Sequence, residues 1–162
     1  MLAMGAIDNG EESLEDHAEL WAGLFDKAVV SNLRRIHDEF QPTYVLSTSW
    51  IKMLGLNSLI LILRQCGLDF VVNNLHLDWS TTSSQTNGVR AVEIRGWLDR
   101  HPEVADRWLV LDDEHSGTGL GDWPEPGERE FITLCKQGIG LTSQEAENLC
   151  NGLKIRVAAI VA

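Results

Sequence analysis

A chain of 162 residues is long enough for one domain with a proper core, and 44% hydrophobic with 23% charged residues is an ordinary globular composition. With 24 acidic and 13 basic residues the formal net charge is -11, and no basic stripe interrupts it, which argues against tight binding to duplex nucleic acid while leaving a small phosphorylated ligand open. No apolar run approaches the length of a membrane span, no basic-then-apolar leader opens the chain, and Cys66, Cys135 and Cys150 form no close-spaced metal motif, so they read as reduced thiols of a cytoplasmic protein.

Residues 1–20 are acidic and rich in small side chains with no clear period, which predicts a loop or a frayed helix, and Glu11–Asp16 reads as a solvated face. Asp26 is a good N-cap for a helix over 27–40, where Val29, Val30, Leu33, Ile36 and Phe40 share one face, and Pro42 stops it. Thr43–Leu46 is a short strand that runs into Ser47, Thr48 and Ser49. Lys52–Cys66, with Leu54, Leu59, Ile62 and Leu63, reads as a helix closed by Gly67. Asp69–Asn73 is expected as a second strand and residues 75–88, polar and rich in Ser and Thr, as a loop. Val89–Arg100 is a third helix, with Val92, Ile94, Trp97 and Leu98 apolar, ended by His101-Pro102.

Trp108–Leu111 is then a strand that leads straight into Asp112, Asp113 and Glu114. Gly117–Gly127, with four glycines and two prolines, is a loop, and Phe131–Cys135 a short strand. Thr142 or Ser143 caps a helix to about Asn151, and Leu153–Ala162 reads as a last strand. Strands alternating with helices predict one α/β domain over 1–162, built on a mostly parallel sheet covered on both faces. In such sheets ligands sit at the carboxyl ends of the strands.

Two strand ends carry chemistry. One ends in the hydroxyls of Ser47–Ser49, suited to phosphate oxygens. The other ends in acids, which repel one another unless a cation neutralises them. Hard oxygen donors there suit Mg²⁺, which takes one or two carboxylates together with waters and a substrate phosphate. Arg90 is the best-placed cation to balance a phosphate, with Arg95 second. Structural readings stand beside these: the hydroxyls could cap the next helix, Asp112 and Asp113 could be loop acids, and Arg90 could pair with Glu93 on the helix surface. His76, His115, Asp78 and Glu114 are weaker site candidates, and Trp50 and Trp97 read as core.

Three stretches, "FDKAVVSNLRRIHDEF…YVLSTSW", "GVRAVEIRGWLDRHPEVADRWLVLDDE" and "GIGLTSQEAENL", resemble the haloacid dehalogenase (HAD) superfamily of phosphohydrolases, and within it the small HAD-like domain of bacterial proteins and multi-domain RNA-repair proteins. The resemblance covers roughly residues 21–150. It implies a Rossmann-like three-layer fold, with Ser47 at the phosphate-binding position of the second motif, Arg90 near the basic residue of the third, and Asp112 and Asp113 as the fourth-motif acids that hold Mg²⁺. The same family places a nucleophilic Asp in a first motif, a strand followed by Asp-x-Asp-Gly. Before the helix at 27–40 the chain offers only "AIDNG", residues 6–10, with Asp8 as its single acid and no apolar run before it. The expectation is a chain that starts just after that motif, weak in Mg²⁺ affinity and inactive as it stands. The alternative is a non-catalytic descendant that binds a phosphorylated ligand or a protein partner, as a homodimer through strand exchange. The C-terminal "IRVAAIVA" is expected to fill the place of the first strand.

Overall fold

The computed structural model describes residues 23–48, 50–81, 88–104 and 107–161, with the side chains of 51–53 and 156–161 outside that description. The acidic start with Asp8, and Ser49, lie outside the described residues.

Helix α1, Lys27–Phe40, begins as its sequence predicts: Asp26 Oδ1 accepts from the backbone N–H of Ala28 at 2.7 Å. It closes at Gln41, which takes the left-handed conformation (φ 48°) just before Pro42. Strand β1 is Tyr44–Leu46 and helix α2 Trp50–Gln65. Helix α2 is broken at Gly55, whose φ of 73° and ψ of 168° lie outside helical space. At its end, Leu68 N–H reaches Leu63 O and Gly67 N–H reaches Arg64 O, with Gly67 at φ 78°, the paired bonds of a Schellman stop.

The next two elements differ from expectation. Asp69–Val72 is a one-turn helix, α3, that buries Phe70 and Val71, and strand β2 is Leu75–Ser80, inside the stretch expected as a loop. A four-residue apolar run carries too little period to separate helix from strand. The segment "LHLDWS" alternates apolar and polar residues as a half-buried strand does, and the Ser- and Thr-rich stretch that follows it obscured that signal. Strand β2 lies parallel to β1.

Helix α4 is Arg90–Arg100, followed by a 3₁₀ turn at Pro102–Val104, and strand β3 is Val110–Asp113. The two acids therefore form the last two positions of β3 rather than following it. A 3₁₀ helix, Pro126–Phe131, leads into strand β4, Ile132–Cys135, which pairs parallel to β3 in unbroken register from Val110↔Ile132 to Asp113↔Cys135. The expected α/β pattern of parallel strands and crossing helices is observed. Among the described residues it forms two separate two-stranded sheets, β1–β2 and β3–β4.

The last helix corrects the expectation for the C-terminus. Thr142 and Glu145 form a capping box, in which Glu145 Oε2 accepts from Thr142 N–H at 2.8 Å and Thr142 Oγ1 from Glu145 N–H at 3.2 Å. From there α5 runs unbroken from Ser143 to Val161. Residues 153–161 are thus helical, and the strand expected there, with its role of filling the place of a first strand, is overturned. Once a helix is nucleated each added residue gains a hydrogen bond, and a short apolar tail rich in alanine follows it. Lys154 Nζ also holds Glu39 Oε1 of α1 at 2.8 Å.

Three apolar clusters are found among the described residues. Leu59, Ile62, Leu63, Phe70 and Val71 form one beneath β1–β2. Ile36, Cys135, Leu141, Ala146 and Leu149 form a second between α1, β4 and α5. Ile94, Val110, Leu120 and Trp123 form a third under α4. Leu33 packs against both of the first two, so α1 ties one sheet to the other. A groove of about 410 Å³ beside α1 is lined by Val30, Leu33, Leu68, Leu111, Asp112 and Cys135. All three cysteines are buried free thiols, and burial pushes the Cys135 thiol up to about 11, which makes it a poor nucleophile.

Candidate active site

The carboxyl ends of β1 and β3 meet through one side chain. Arg90, the first residue of α4, is buried. Its Nη1 donates to Ser47 Oγ at 3.2 Å and to Glu93 Oε2 at 3.2 Å, and its Nε lies 3.1 Å from Asp112 Oδ2. Ser47 and Asp112 belong to different sheets, so the guanidinium bridges the gap between them. The Nε–H is close to Asp112 but is not aligned with it, and this buried donor has no well-formed hydrogen bond.

The start of α4 is held from a distance. Val89 stands at the N-cap position and cannot cap with its side chain. Instead Thr118 Oγ1 accepts from Arg90 N–H at 2.9 Å and Thr118 O from Ala91 N–H at 3.0 Å. The loop after β3 thereby positions the residue that reaches back to β1.

Ser47 Oγ accepts from Thr81 Oγ1 at 2.7 Å and from Arg90. A hydroxyl has two acceptor lone pairs and one proton. With both lone pairs engaged among the described residues, the Ser47 O–H is left to donate to an incoming oxygen.

The two acids differ. Burial raises the Asp112 carboxyl above its ordinary range, and the hydrogen bond from Asp113 N–H (2.9 Å) and the charge of Arg90 offset this only in part. Burial works in the same direction on Asp113, but bonds from the backbone of Ser116 (2.8 Å) and His115 (2.9 Å) to its Oδ1 outweigh it and hold that carboxyl below the usual range. Asp113 thus anchors the turn after β3, while Asp112 is the carboxylate that pairs with Arg90 and reaches Ser47 only through it. One such hard oxygen ligand, completed by waters and a substrate phosphate, lies within what Mg²⁺ accepts, so these residues fit the ion.

The structure brings Ser47, Arg90 and Asp112 together. Thr48 Oγ1 instead accepts from Trp50 N–H at 3.3 Å, the helix-capping reading. Arg95 is placed elsewhere: it pairs with Glu125 and Glu128 and lies 4.4 Å over the Trp123 ring. Glu114 and His115 are exposed on the turn. His76 and Asp78 lie on β2 beside His101, beyond the other end of α4. Arg90 both pairs with Glu93 and reaches the site, so its two readings hold together. Sequence reasoning missed Thr81 and Thr118. Thr81 would have been visible had β2 been recognised, since it follows a strand end as Ser47 does; Thr118 left no local signal.

Gly117 sits where the site turn passes β4. A Cβ there would stand 2.8 Å from Asp113 O and 2.8 Å from Leu134 Cδ2. Gly117→Ala is expected to cost about 1–3 kcal/mol, measured by urea denaturation, because the backbone oxygen cannot yield without moving β3.

A family model for the HAD domain in Swiss Army Knife RNA repair proteins matches residues 5–146. The chain belongs to this family. The match runs through both strand ends and through α4, so the α/β, HAD-like fold expected from the sequence is borne out. No curated protein and no solved structure matches the chain. No helix among the described residues of this HAD domain is long and apolar enough to cross a membrane.

Proposed function

We propose that this HAD domain binds a small phosphate monoester, together with Mg²⁺, at Ser47, Arg90 and Asp112. The supporting observation is the buried Arg90 guanidinium, which joins a hydroxyl at one strand end to a carboxylate at the other and keeps a buried donor without an aligned acceptor. The guanidinium is the cation that a bound phosphate would meet, and charge-assisted bonds to guanidinium are among the stronger hydrogen bonds available. Ser47 donates its spare proton to a second phosphate oxygen. Asp112, whose burial disfavours its bare charge, holds the metal. Bound there, Mg²⁺ supplies neutralisation of phosphate charge. Asp113 acts from outside by fixing the turn. The net charge of -11 favours small ligands over a nucleic-acid duplex.

Turnover requires a nucleophile. The family's reaction uses the first Asp of an Asp-x-Asp pair, and the 162 residues contain no Asp-x-Asp. These 162 residues by themselves are therefore read as a phosphate-binding unit rather than a catalytic one. The test is p-nitrophenyl phosphate turnover with and without Mg²⁺, in this chain and in Asp112→Asn. Equal background rates in both proteins are expected. Mg²⁺-dependent turnover that the substitution abolishes would overturn the non-catalytic reading and point to Asp8 as the nucleophile.

A further inference from the structure

A second cluster of ligating side chains lies at the far end of α4. That helix has 11 residues, so about 16 Å of axis separates Arg90 from the turn that follows Arg100. His76 of β2, His101 after α4 and Glu103 of the 3₁₀ turn bring one ligand atom each to within 4.8 Å of one another. We infer that His76, His101 and Glu103 form a site for a divalent transition-metal ion of the zinc class, separate from the Asp112 site.

Two imidazoles and one carboxylate are a borderline donor set, which suits Zn²⁺ and its neighbours rather than Mg²⁺. The ring nitrogens are already sorted. His76 Nδ1 lies 3.0 Å from Asp78 N and 3.3 Å from Asp78 O, so it has a backbone partner in either tautomer, and Nε2 is the nitrogen left for a metal. His101 Nε2 lies 2.9 Å from Asp78 Oδ2, while its Nδ1 lies 2.8 Å from Glu103 Oε1. Asp78 thus holds the outer nitrogen of the ring, the role a supporting carboxylate plays behind a metal-bound histidine. The other nitrogen and the Glu103 oxygen, now hydrogen-bonded to each other, would be the ligands once an ion displaces the proton between them.

Ring packing fixes the geometry. His101 stacks on Trp97 at 4.1 Å, and His76 meets His101 edge-on at 5.0 Å. Trp97 Nε1 donates to Asp78 O at 2.8 Å, which ties α4 to β2. Around an ion at about 2.0–2.2 Å from each ligand, the three atoms would stand about 3.4 Å apart. The exposed Glu103 side chain is free to adjust toward an ion, the two rings would have to close any remaining separation, and a fourth position remains for water.

The test is calorimetric titration of Zn²⁺ into the full chain after chelator treatment, in excess Mg²⁺ to saturate the Asp112 site. One equivalent is expected to bind to the wild type. Glu103→Gln and His76→Gln are each expected to weaken binding at least tenfold, and Asp78→Asn about 10–100-fold. Glu103 is exposed, so its variant keeps the fold and carries the test even if His76→Gln does not, which a circular dichroism spectrum shows. Absence of stoichiometric binding by the wild type, binding that excess Mg²⁺ suppresses, or binding unchanged in Glu103→Gln would overturn the inference.

Discussion

Arg90→Met is expected to lower stability by about 3–5 kcal/mol, the usual cost of leaving buried charges without their partner. Arg90 is buried between Glu93, itself buried, and the largely buried Asp112. Methionine matches the aliphatic stem but removes the guanidinium that pairs with both carboxylates. The measurement is the urea midpoint at neutral pH with an unchanged slope. Arg90→Lys keeps the charge but cannot reach Ser47, Glu93 and Asp112 at once, so an intermediate loss is expected. Adding Glu93→Leu to Arg90→Met removes one of the two acids that pair with Arg90 and should restore part of the stability. A loss below about 1 kcal/mol for Arg90→Met would mean that the carboxylates do not depend on the guanidinium.

Trp123→Ala is expected to cost a similar amount, about 3–5 kcal/mol. Only 1% of Trp123 is exposed, where it packs with Leu120, Ile94 and Val110, and its Nε1 donates to Glu128 Oε2 at 2.7 Å. The loop it anchors carries Thr118, which caps α4 at Arg90. Its loss should therefore reach the site as well as the core. A second readout separates the two: Trp123→Phe, which fills most of the volume without the indole N–H, should recover most of the stability. Thermal denaturation of both variants checks the order.

Where a residue's role was set by its neighbours in sequence, it was legible. Asp26 as a cap, Gly67 as a stop and the Thr142-Ser-Gln-Glu145 box all act over four or five residues, and each took the place that local chemistry gave it. The strand ends at Ser47 and Asp112 were legible for the same reason, since an apolar run that meets a polar cluster needs no tertiary information. The rest depended on contacts distant in the chain. Strand β2 is an exception, because its apolar–polar alternation is a local strand signal that the Ser- and Thr-rich stretch after it obscured. The residues after Gly152 have no intrinsic reason to be a strand or a helix, and continuity with an already formed α5 decided between them. Arg90 and Arg95 lie about one and a half turns apart on the same helix, and the sequence places Arg90 first only by its position at the helix start. Only the fold turns Arg90 inward to Ser47 and Asp112 and leaves Arg95 to Glu125, Glu128 and Trp123.

Whether Ser47, Arg90 and Asp112 form one phosphate and Mg²⁺ site is tested most directly by titrating inorganic phosphate into the protein with and without Mg²⁺, in the wild type and in Ser47→Ala. Saturable binding is expected that Mg²⁺ tightens and that Ser47→Ala weakens by about tenfold or more, the worth of a hydrogen bond to a charged group. Saturable binding that is indifferent to both Mg²⁺ and Ser47, or no saturable binding by the folded wild type, would contradict such a site.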